Sequence, residues 1–271
     1  MTERLELMLA VRPNYHAPSL TAKALSTLDT IAPGRLSLNV VSSWWREEAA
    51  QYGMPFDVHD ARYARTQEWL DVVQRLLRED TVTHHGALYQ LEGAVLEPKP
   101  RRVPPVYMGG ESPKAKEVIA GAADAYVMHG DEPAVIAGKI ADMSARRAQA
   151  GKPPLAYGVS GYVICRDTGA QAQAELERIL DVKSSPAAYA SYQDFLEGSQ
   201  LESRVSLEEY SVSNRGLRTG LVGTPEQITA RLRAYQDAGV DLMLLQFSPQ
   251  REEMARFGRD VIASYPGPAA G

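Results

Sequence analysis

Segments with strand-like and helix-like patterns alternate from one end of this 271-residue chain to the other. The short apolar runs that are typical of strands lie at residues 5–11, 36–41, 106–109, 125–128, 157–165 and 242–247. The predicted helices lie between and after them, at residues 19–31, 62–77, 113–123, 132–150, 170–180, 225–238 and 252–264. Strands that are each followed by a helix form a parallel sheet, and α/β barrels of this kind bind ligands at the carboxyl ends of their strands.

Two segments depart from this alternation. Residues 82–97 have the β-branched and turn residues of a β-hairpin rather than of a strand in the main sheet. Residues 184–218 show little apolar periodicity, so they predict a long loop, and their place before a late strand suits an active-site lid. With these two insertions, residues 1–271 are predicted to form a single domain, since the chain can bury one sizeable core.

Composition excludes several classes of function. The formal net charge of -5 argues against a nucleic-acid-binding surface, which is normally basic. The single cysteine, Cys165, cannot form an internal disulfide and suits a reducing compartment. No apolar run reaches the length of a membrane span, and the amino-terminal residues do not resemble a secretion signal. The few histidines and one cysteine lack metal-ligand spacing, so we expect no metal site. The single cysteine and the lack of a signal-like amino terminus lead us to expect a cytoplasmic protein.

Polar and aromatic residues follow the second predicted strand. Asn39 lies at its carboxyl end, and Trp44, Trp45 and Glu48 come soon after it. Consecutive residues of an extended chain point to opposite sides, so the two tryptophans are expected to face apart. An amide, a carboxylate and an indole at the end of a strand suit a large polar cofactor.

The sequence HDxRY opens the helix predicted near residue 62. One interpretation is structural, with Asp60 as the helix N-cap and Arg62 as its solvated partner. The other is functional, because arginine offers a planar fork for phosphate and the hydroxyl of Tyr63 adds an uncharged donor. For His59 the two interpretations remain equally open.

A glycine-rich turn connects the third predicted strand to its helix. Gly109-Gly110-Glu111-Ser112 could bring backbone N–H groups, a helix N-terminus and the Ser112 hydroxyl to a phosphate. The same pattern also occurs as an ordinary strand-to-helix turn. Residues alone do not separate these two interpretations.

Several segments, in this order and spacing, resemble the bacterial luciferase-like flavin-dependent monooxygenases, nearest to the dimethylsulfone and alkanesulfonate monooxygenases. They are RLELMLAVRP, AKALSTLDTIAPGRLSLNVVS, the HDxRY box, LEPKP, VYMGGES, LVGTPEQI and AGVDLMLLQ. The resemblance implies a (β/α)₈ TIM barrel of the luciferase-like type. Similar proteins begin well upstream of RLELMLAVRP, so the chain is expected to lack the first two βα units at its amino end.

The resemblance also implies a function, the oxygenase component of a two-component system. Reduced FMN would come from a separate NAD(P)H-dependent flavin reductase, the other substrates would be dioxygen and a small molecule, and the protein would be a homo-oligomer. The cofactor-binding residues implied are Asn39, Glu48, His59, Arg62, Tyr63, Gly110, Glu111 and Ser112. The catalytic residues implied or suggested by position are Tyr162, Ser160, Trp44 and Arg218.

One departure from the family pattern bears on the substrate. Sulfonate-cleaving relatives carry an arginine and a histidine on a strand where this chain has Ser160 and Tyr162. An unpaired anion is costly to bury, so a pocket without those cations favours a small neutral substrate such as a sulfone.

Two alternatives remain at this level. A deazaflavin-dependent oxidoreductase could use the same fold, and a non-catalytic luciferase-like subunit could have the same pattern. The presence of Asn39, Arg62, Tyr63 and Ser112 argues against a purely structural chain.

Overall fold

The computed structural model describes residues 2–181, 186–198, 205–212 and 215–265. These residues form two compact units. The first contains residues 2–126 and 143–155, and the second contains residues 127–142, 156–197 and the described chain from residue 205 onward. The prediction that residues 1–271 form a single domain stays a prediction.

Each of the predicted strands and helices has a counterpart in the structure. The strands are β1 (Leu7–Val11), β2 (Leu36–Val40), β3 (Val82–His85), β4 (Gln90–Ala94), β5 (Val106–Gly109), β6 (Ala125–Met128), β7 (Ala156–Tyr162), β8 (Ile164–Cys165), β9 (Val222–Gly223) and β10 (Leu242–Gln246). The α-helices are α1 (Pro18–Ile31), α2 (Arg46–Gln51), α3 (His59–Arg78), α4 (Pro113–Ala122), α5 (Pro133–Gln149), α6 (Gly169–Leu180), α7 (Pro186–Gly198), α8 (Leu207–Val212), α9 (Pro225–Asp237) and α10 (Gln250–Asp260). Two 3₁₀-helices lie at Gly216–Thr219 and Ile262–Ser264.

The first unit is built on parallel strands in the order β1-β2-β5. Leu36, Leu38 and Val40 of β2 are buried, and Asn39 alternates to the opposite face of the strand. The strand pairing places Asn39 level with Ala10 on β1 and Tyr107 on β5. The carboxyl ends of the three strands therefore lie along one edge of this sheet.

Helix α3 follows the spacing of an amphipathic helix. Its buried residues recur every three or four positions: Thr66, Trp69, Leu70, Val73, Leu76 and Leu77. The helix packs against α1 and α4, and its first turns reach the carboxyl edge of the sheet through a hydrogen bond of 2.9 Å between the hydroxyls of Thr66 and Ser42.

Strands β3 and β4 pair antiparallel, as the sequence predicts for residues 82–97. The hairpin is attached to α3 by one carboxylate. Glu68 accepts hydrogen bonds from the backbone N–H groups of Leu88 (2.9 Å) and Tyr89 (2.8 Å), and its side chain also lies 3.3 Å from Nε2 of His84. Burial raises the pKa of Glu68, but the two N–H groups and His84 outweigh this effect, so the pKa lies below its ordinary value of 4.5.

We expect Glu68→Gln to loosen the hairpin, because an amide oxygen accepts these bonds less strongly than a carboxylate. Hydrogen exchange at the Leu88 and Tyr89 amides should accelerate by roughly tenfold near neutral pH, since bonds to charged groups contribute about 1.5–3 kcal/mol. Because the pKa of Glu68 is lower in the folded than in the unfolded state, its carboxylate stabilises the fold above about pH 4.5. This contribution is lost as the pH falls through the folded-state pKa. The difference in unfolding free energy between wild type and variant should therefore shrink from pH 6 to pH 3.

Glu92→Gln is the matched control, because Glu92 belongs to the same hairpin and its side chain is 78% exposed. Equal exchange at Leu88 and Tyr89 in wild type and Glu68→Gln would contradict the anchoring role.

The second unit pairs β7 with β10 and β8 with β9, in parallel. The predicted strand 157–165 is interrupted at Val163, so its last residues pair with β9 rather than continuing along β10. Cys165 is buried in an apolar cluster with Val163, Leu221 and Phe257, and burial raises its pKa to about 11. Cys165 is therefore a small residue of the apolar core.

The prediction of a long loop at residues 184–218 is wrong for those of its residues that the structure describes. Helix α7, helix α8 and the 3₁₀-helix Gly216–Thr219 occupy most of this segment. The ring of Tyr210 packs there against those of Tyr192 and Phe195, with centroids 5.6 and 4.7 Å away. Aromatic packing thus supplies the apolar contacts that aliphatic periodicity did not reveal. Residues 184–185, 199–204 and 213–214 of the predicted lid lie outside the described residues.

Candidate active site

The turn after β5 has the geometry of a backbone cradle. Ser112 is the N-cap of α4, where its Oγ accepts from the N–H of Ala115 at 3.1 Å, and Pro113 follows in the first turn. Gly110 has a φ of +154°, and a Cβ at this position would lie 2.6 Å from the Cβ of Ala115. Only glycine fits at position 110, because a side chain would clash with Ala115. Without a side chain, its backbone can be approached closely by a bound ligand.

Tyr63 meets this turn from a different part of the chain. Its hydroxyl lies 3.2 Å from the position that a Cβ on Gly110 would occupy, and its ring packs 5.0 Å from that of His59. The HDxRY box and the glycine-rich turn, which are far apart in sequence, therefore form one site in the first unit.

The N-cap predicted for α3 is wrong. The helix begins at His59 with Val58 as its N-cap, and Asp60 lies inside the first turn, 2.8 Å from Nδ1 of His59. Asp60 therefore acts as a first-turn carboxylate, which the positive end of the helix dipole favours.

The solvated role considered for Arg62 is also wrong, because this residue is only 6% exposed. Its guanidinium lies over the ring of Phe56, 4.6 Å from the centroid. It faces a cavity of about 10 Å³, room for about one water molecule. The cavity is also lined by Pro13, Asn14, Ser42, Asp57, Arg65 and Thr66. Arg62 thus places a buried positive charge one residue before Tyr63 in α3.

The ends of β1 and β2 carry a polar network that only the structure reveals. Arg12 forms an ion pair with Glu48 on α2, and Ser43 donates a hydrogen bond to Oδ1 of Asn14. Asn14 in turn donates to the carbonyl of Pro55 at 3.0 Å. Arg12 and Asn14 were not identified from the sequence, although charged and amide residues directly after an apolar strand were a usable signal. Glu48, predicted as a cofactor ligand, is held in place by Arg12.

Trp44 and Trp45 do not face apart as predicted. Their rings are stacked, with centroids 5.8 Å apart and planes 13° apart. The chain is not extended here, because Ser43 has a φ of 58° and Trp45 is the N-cap of helix α2, which the sequence did not predict. Trp44 and Trp45 thus form a paired aromatic surface after the carboxyl end of β2.

The second unit contains Ser160, Tyr162 and Arg218. The hydroxyl of Ser160 donates to the carbonyl of Met128 at 3.3 Å. Tyr162 is buried beside Ile164 and Ala172, and burial raises its pKa although a hydrogen bond with Ser248 opposes this shift. Arg218 forms an ion pair with Glu209, which balances its charge. Ser160 and Tyr162 therefore present neutral hydroxyl groups.

Comparisons with known proteins identify the family of this chain. The sequence model described as luciferase-like monooxygenase matches residues 1–242. The chain belongs to the luciferase-like monooxygenase family. An FMNH(2)-dependent dimethylsulfone monooxygenase of Pseudomonas putida is 33% identical over 271 residues, which cover 96% of this chain and 74% of that protein.

Solved structures confirm the luciferase-like fold. The long-chain alkane monooxygenase LadA has a TM-score of 0.81 at 22% identity, over 97% of this chain and 69% of LadA. DmoA from Hyphomicrobium sulfonivorans has a TM-score of 0.75 at 20% identity, over 97% of this chain and 68% of DmoA.

Two further features concern metal binding and membrane spans. Within the described residues, no group of three or more His, Cys, Asp and Glu side chains is arranged to hold a metal ion. None of the helices in the same residues is both long enough and apolar enough to cross a membrane.

Proposed function

We propose that this chain is the oxygenase component of a two-component monooxygenase that uses reduced FMN and oxidises a small, neutral organosulfur compound such as a sulfone. The observation that carries the proposal is the hydroxyl of Tyr63 beside Gly110, at the N-terminus of α4. The FMNH(2)-dependent dimethylsulfone monooxygenase relatives support the choice of cofactor and of substrate class.

The residues around Gly110 fit the phosphate of FMN. The backbone N–H groups of the turn, the Ser112 hydroxyl and the Tyr63 hydroxyl are donors, and the N-terminus of α4 adds a positive dipole end. The glycine cradle lets a bulky anion approach the backbone closely. Arg62 contributes a buried positive charge one residue before Tyr63, and Glu111 contributes its backbone N–H rather than its carboxylate, whose charge would repel a phosphate.

The other predicted residues have tasks that follow from their chemistry. Asn39 can hydrogen-bond a polar cofactor from the carboxyl end of β2. The stacked surface of Trp44 can exclude water from the ring of that cofactor. Reduced FMN, when bound, supplies the electrons that activate dioxygen. Glu48, held by Arg12, and His59, packed on Tyr63, orient their neighbours in this site.

We propose Ser160 and Tyr162 as the residues that favour a neutral substrate. Burial raises the pKa of Tyr162, so its phenol stays protonated at neutral pH and can donate to a sulfone oxygen. Arg218 is already paired with Glu209, so its side chain supplies little net charge for a sulfonate.

The proposal requires a separate NAD(P)H-dependent flavin reductase, dioxygen and a reducing compartment, which we take to be the cytoplasm. It also predicts a homo-oligomer, which sedimentation of the purified protein would establish.

The test supplies purified protein with photoreduced FMN and oxygen, and compares dimethylsulfone with methanesulfonate. We expect sulfinate formation from the sulfone at a rate at least tenfold above that of sulfite release from the sulfonate. A faster reaction with the sulfonate would overturn the substrate class. Failure to bind reduced FMN in an anaerobic titration would overturn the cofactor assignment.

A further inference from the structure

Tyr15 has an unusual environment in the first unit. It lies in the segment after β1, where its backbone N–H donates to the carbonyl of Arg12 at 2.9 Å. Its hydroxyl oxygen has almost no contact with solvent and makes no hydrogen bond with any residue that the structure describes. Buried hydroxyl groups are nearly always hydrogen-bonded, so this one requires an explanation.

The ring of Tyr15 is held from two sides. The guanidinium of Arg12 lies over it, 5.4 Å from the ring centroid, and Tyr52 packs edge-on at 6.2 Å with an interplanar angle of 70°. Arg12 is itself fixed by Glu48 on α2. These contacts account for an aromatic ring at position 15, and phenylalanine would satisfy all of them.

Tyr15 lies in a segment at the carboxyl edge of the sheet. The segment 12–17 leaves β1 at the carboxyl edge of the sheet, next to the segment that leaves β2. Asn14 ties the two segments together through Ser43 and Pro55. In this fold the same edge binds ligands, and Tyr63 and Gly110 belong to it.

We infer that the Tyr15 hydroxyl donates a hydrogen bond to an acceptor oxygen of a bound ligand. This inference rests on the proposed function, and the oxygen belongs either to reduced FMN or to the organosulfur substrate. The packing around the ring pre-organises the donor, so little side-chain entropy is lost when the bond forms.

The test uses Tyr15→Phe, which removes only the hydroxyl. The matched control is Tyr52→Phe, because Tyr52 belongs to the same ring pair but is 65% exposed. Three quantities are measured for each protein: the melting temperature without ligand, the Kd for reduced FMN under anaerobic conditions, and the KM for dimethylsulfone at saturating reduced FMN.

We expect Tyr15→Phe to melt at the same temperature as wild type or higher, since the hydroxyl has no bond within the described protein to lose. One binding constant should nevertheless rise by about five- to tenfold. A higher Kd assigns the acceptor to the flavin, and a higher KM alone assigns it to the substrate. Tyr52→Phe should change none of the three quantities.

The inference is overturned if both binding constants of Tyr15→Phe equal those of wild type. It is also overturned if the melting temperature of the ligand-free variant falls, because the hydroxyl would then have a structural partner. If wild type and Tyr15→Phe bind reduced FMN equally and have the same KM, only the role of Tyr15 is refuted. The proposed function is then left intact, because the wild-type protein still binds reduced FMN.

Discussion

Replacing Tyr63 by phenylalanine is expected to weaken the binding of reduced FMN by about 10- to 100-fold. The Tyr63 hydroxyl lies beside Gly110, at the turn that we assign to the phosphate. A hydrogen bond to a charged group contributes about 1.5–3 kcal/mol, and each 1.4 kcal/mol corresponds to a factor of ten in affinity. An anaerobic fluorescence titration with reduced FMN measures the change.

Riboflavin provides the control for this prediction, because it has the same ring and ribityl chain but no phosphate. Wild type and Tyr63→Phe should bind reduced riboflavin with nearly equal affinity. Equal weakening toward FMN and riboflavin would place the hydroxyl elsewhere on the cofactor, and equal affinity for FMN would remove Tyr63 from the site.

The second large effect is expected for Gly110→Ala. The added Cβ would lie 2.6 Å from the Cβ of Ala115 and 3.2 Å from the Tyr63 hydroxyl, in a backbone conformation with φ of +154°. The turn cannot easily shift away, because the Gly110 carbonyl accepts a hydrogen bond from Tyr126 at 3.0 Å. We expect a loss of stability of about 2 kcal/mol or more from strain and overpacking, together with loss of most FMN binding.

Gly121→Ala, in the helix α4 that follows this turn, is the matched control. A Cβ at Gly121 meets no atom within 4 Å, and alanine is a better helix former than glycine. This variant should be more stable than wild type by roughly 0.5–1 kcal/mol and bind FMN normally. Urea unfolding measures the stability of both variants, and flavin titration measures their affinity for FMN. A stable Gly110→Ala protein with normal flavin affinity would contradict the cradle.

Local patterns were sufficient for most of the elements. The buried residues of α3 recur at helical spacing, and Ser112-Pro113 marks the start of α4 because a cap and a proline both suit a first turn. These features depend on neighbours three or four positions away, so they can be read from the amino-acid order.

Features that depend on backbone direction were harder to predict. Asp60 has the chemistry of an N-cap, but the N-cap is Val58, two residues earlier, so the Asp60 side chain falls in the first turn. The tryptophans were expected to diverge, but the left-handed conformation of Ser43 turns the chain and stacks their rings. In the second case the φ and ψ of one residue, Ser43, redirect the side chains that follow.

The amino-acid order of this chain is enough to establish its alternating strands and helices, its luciferase-like family and the residue types of a phosphate site. It does not show that the Tyr63 hydroxyl reaches Gly110, that Arg12 holds Glu48, or that the Tyr15 hydroxyl is buried with no hydrogen-bond partner among the described residues. Those relations join segments that are distant in sequence. They arise from the parallel order β1-β2-β5 and from the packing of α3 against α4, because these bring the carboxyl ends of separate strands to one edge.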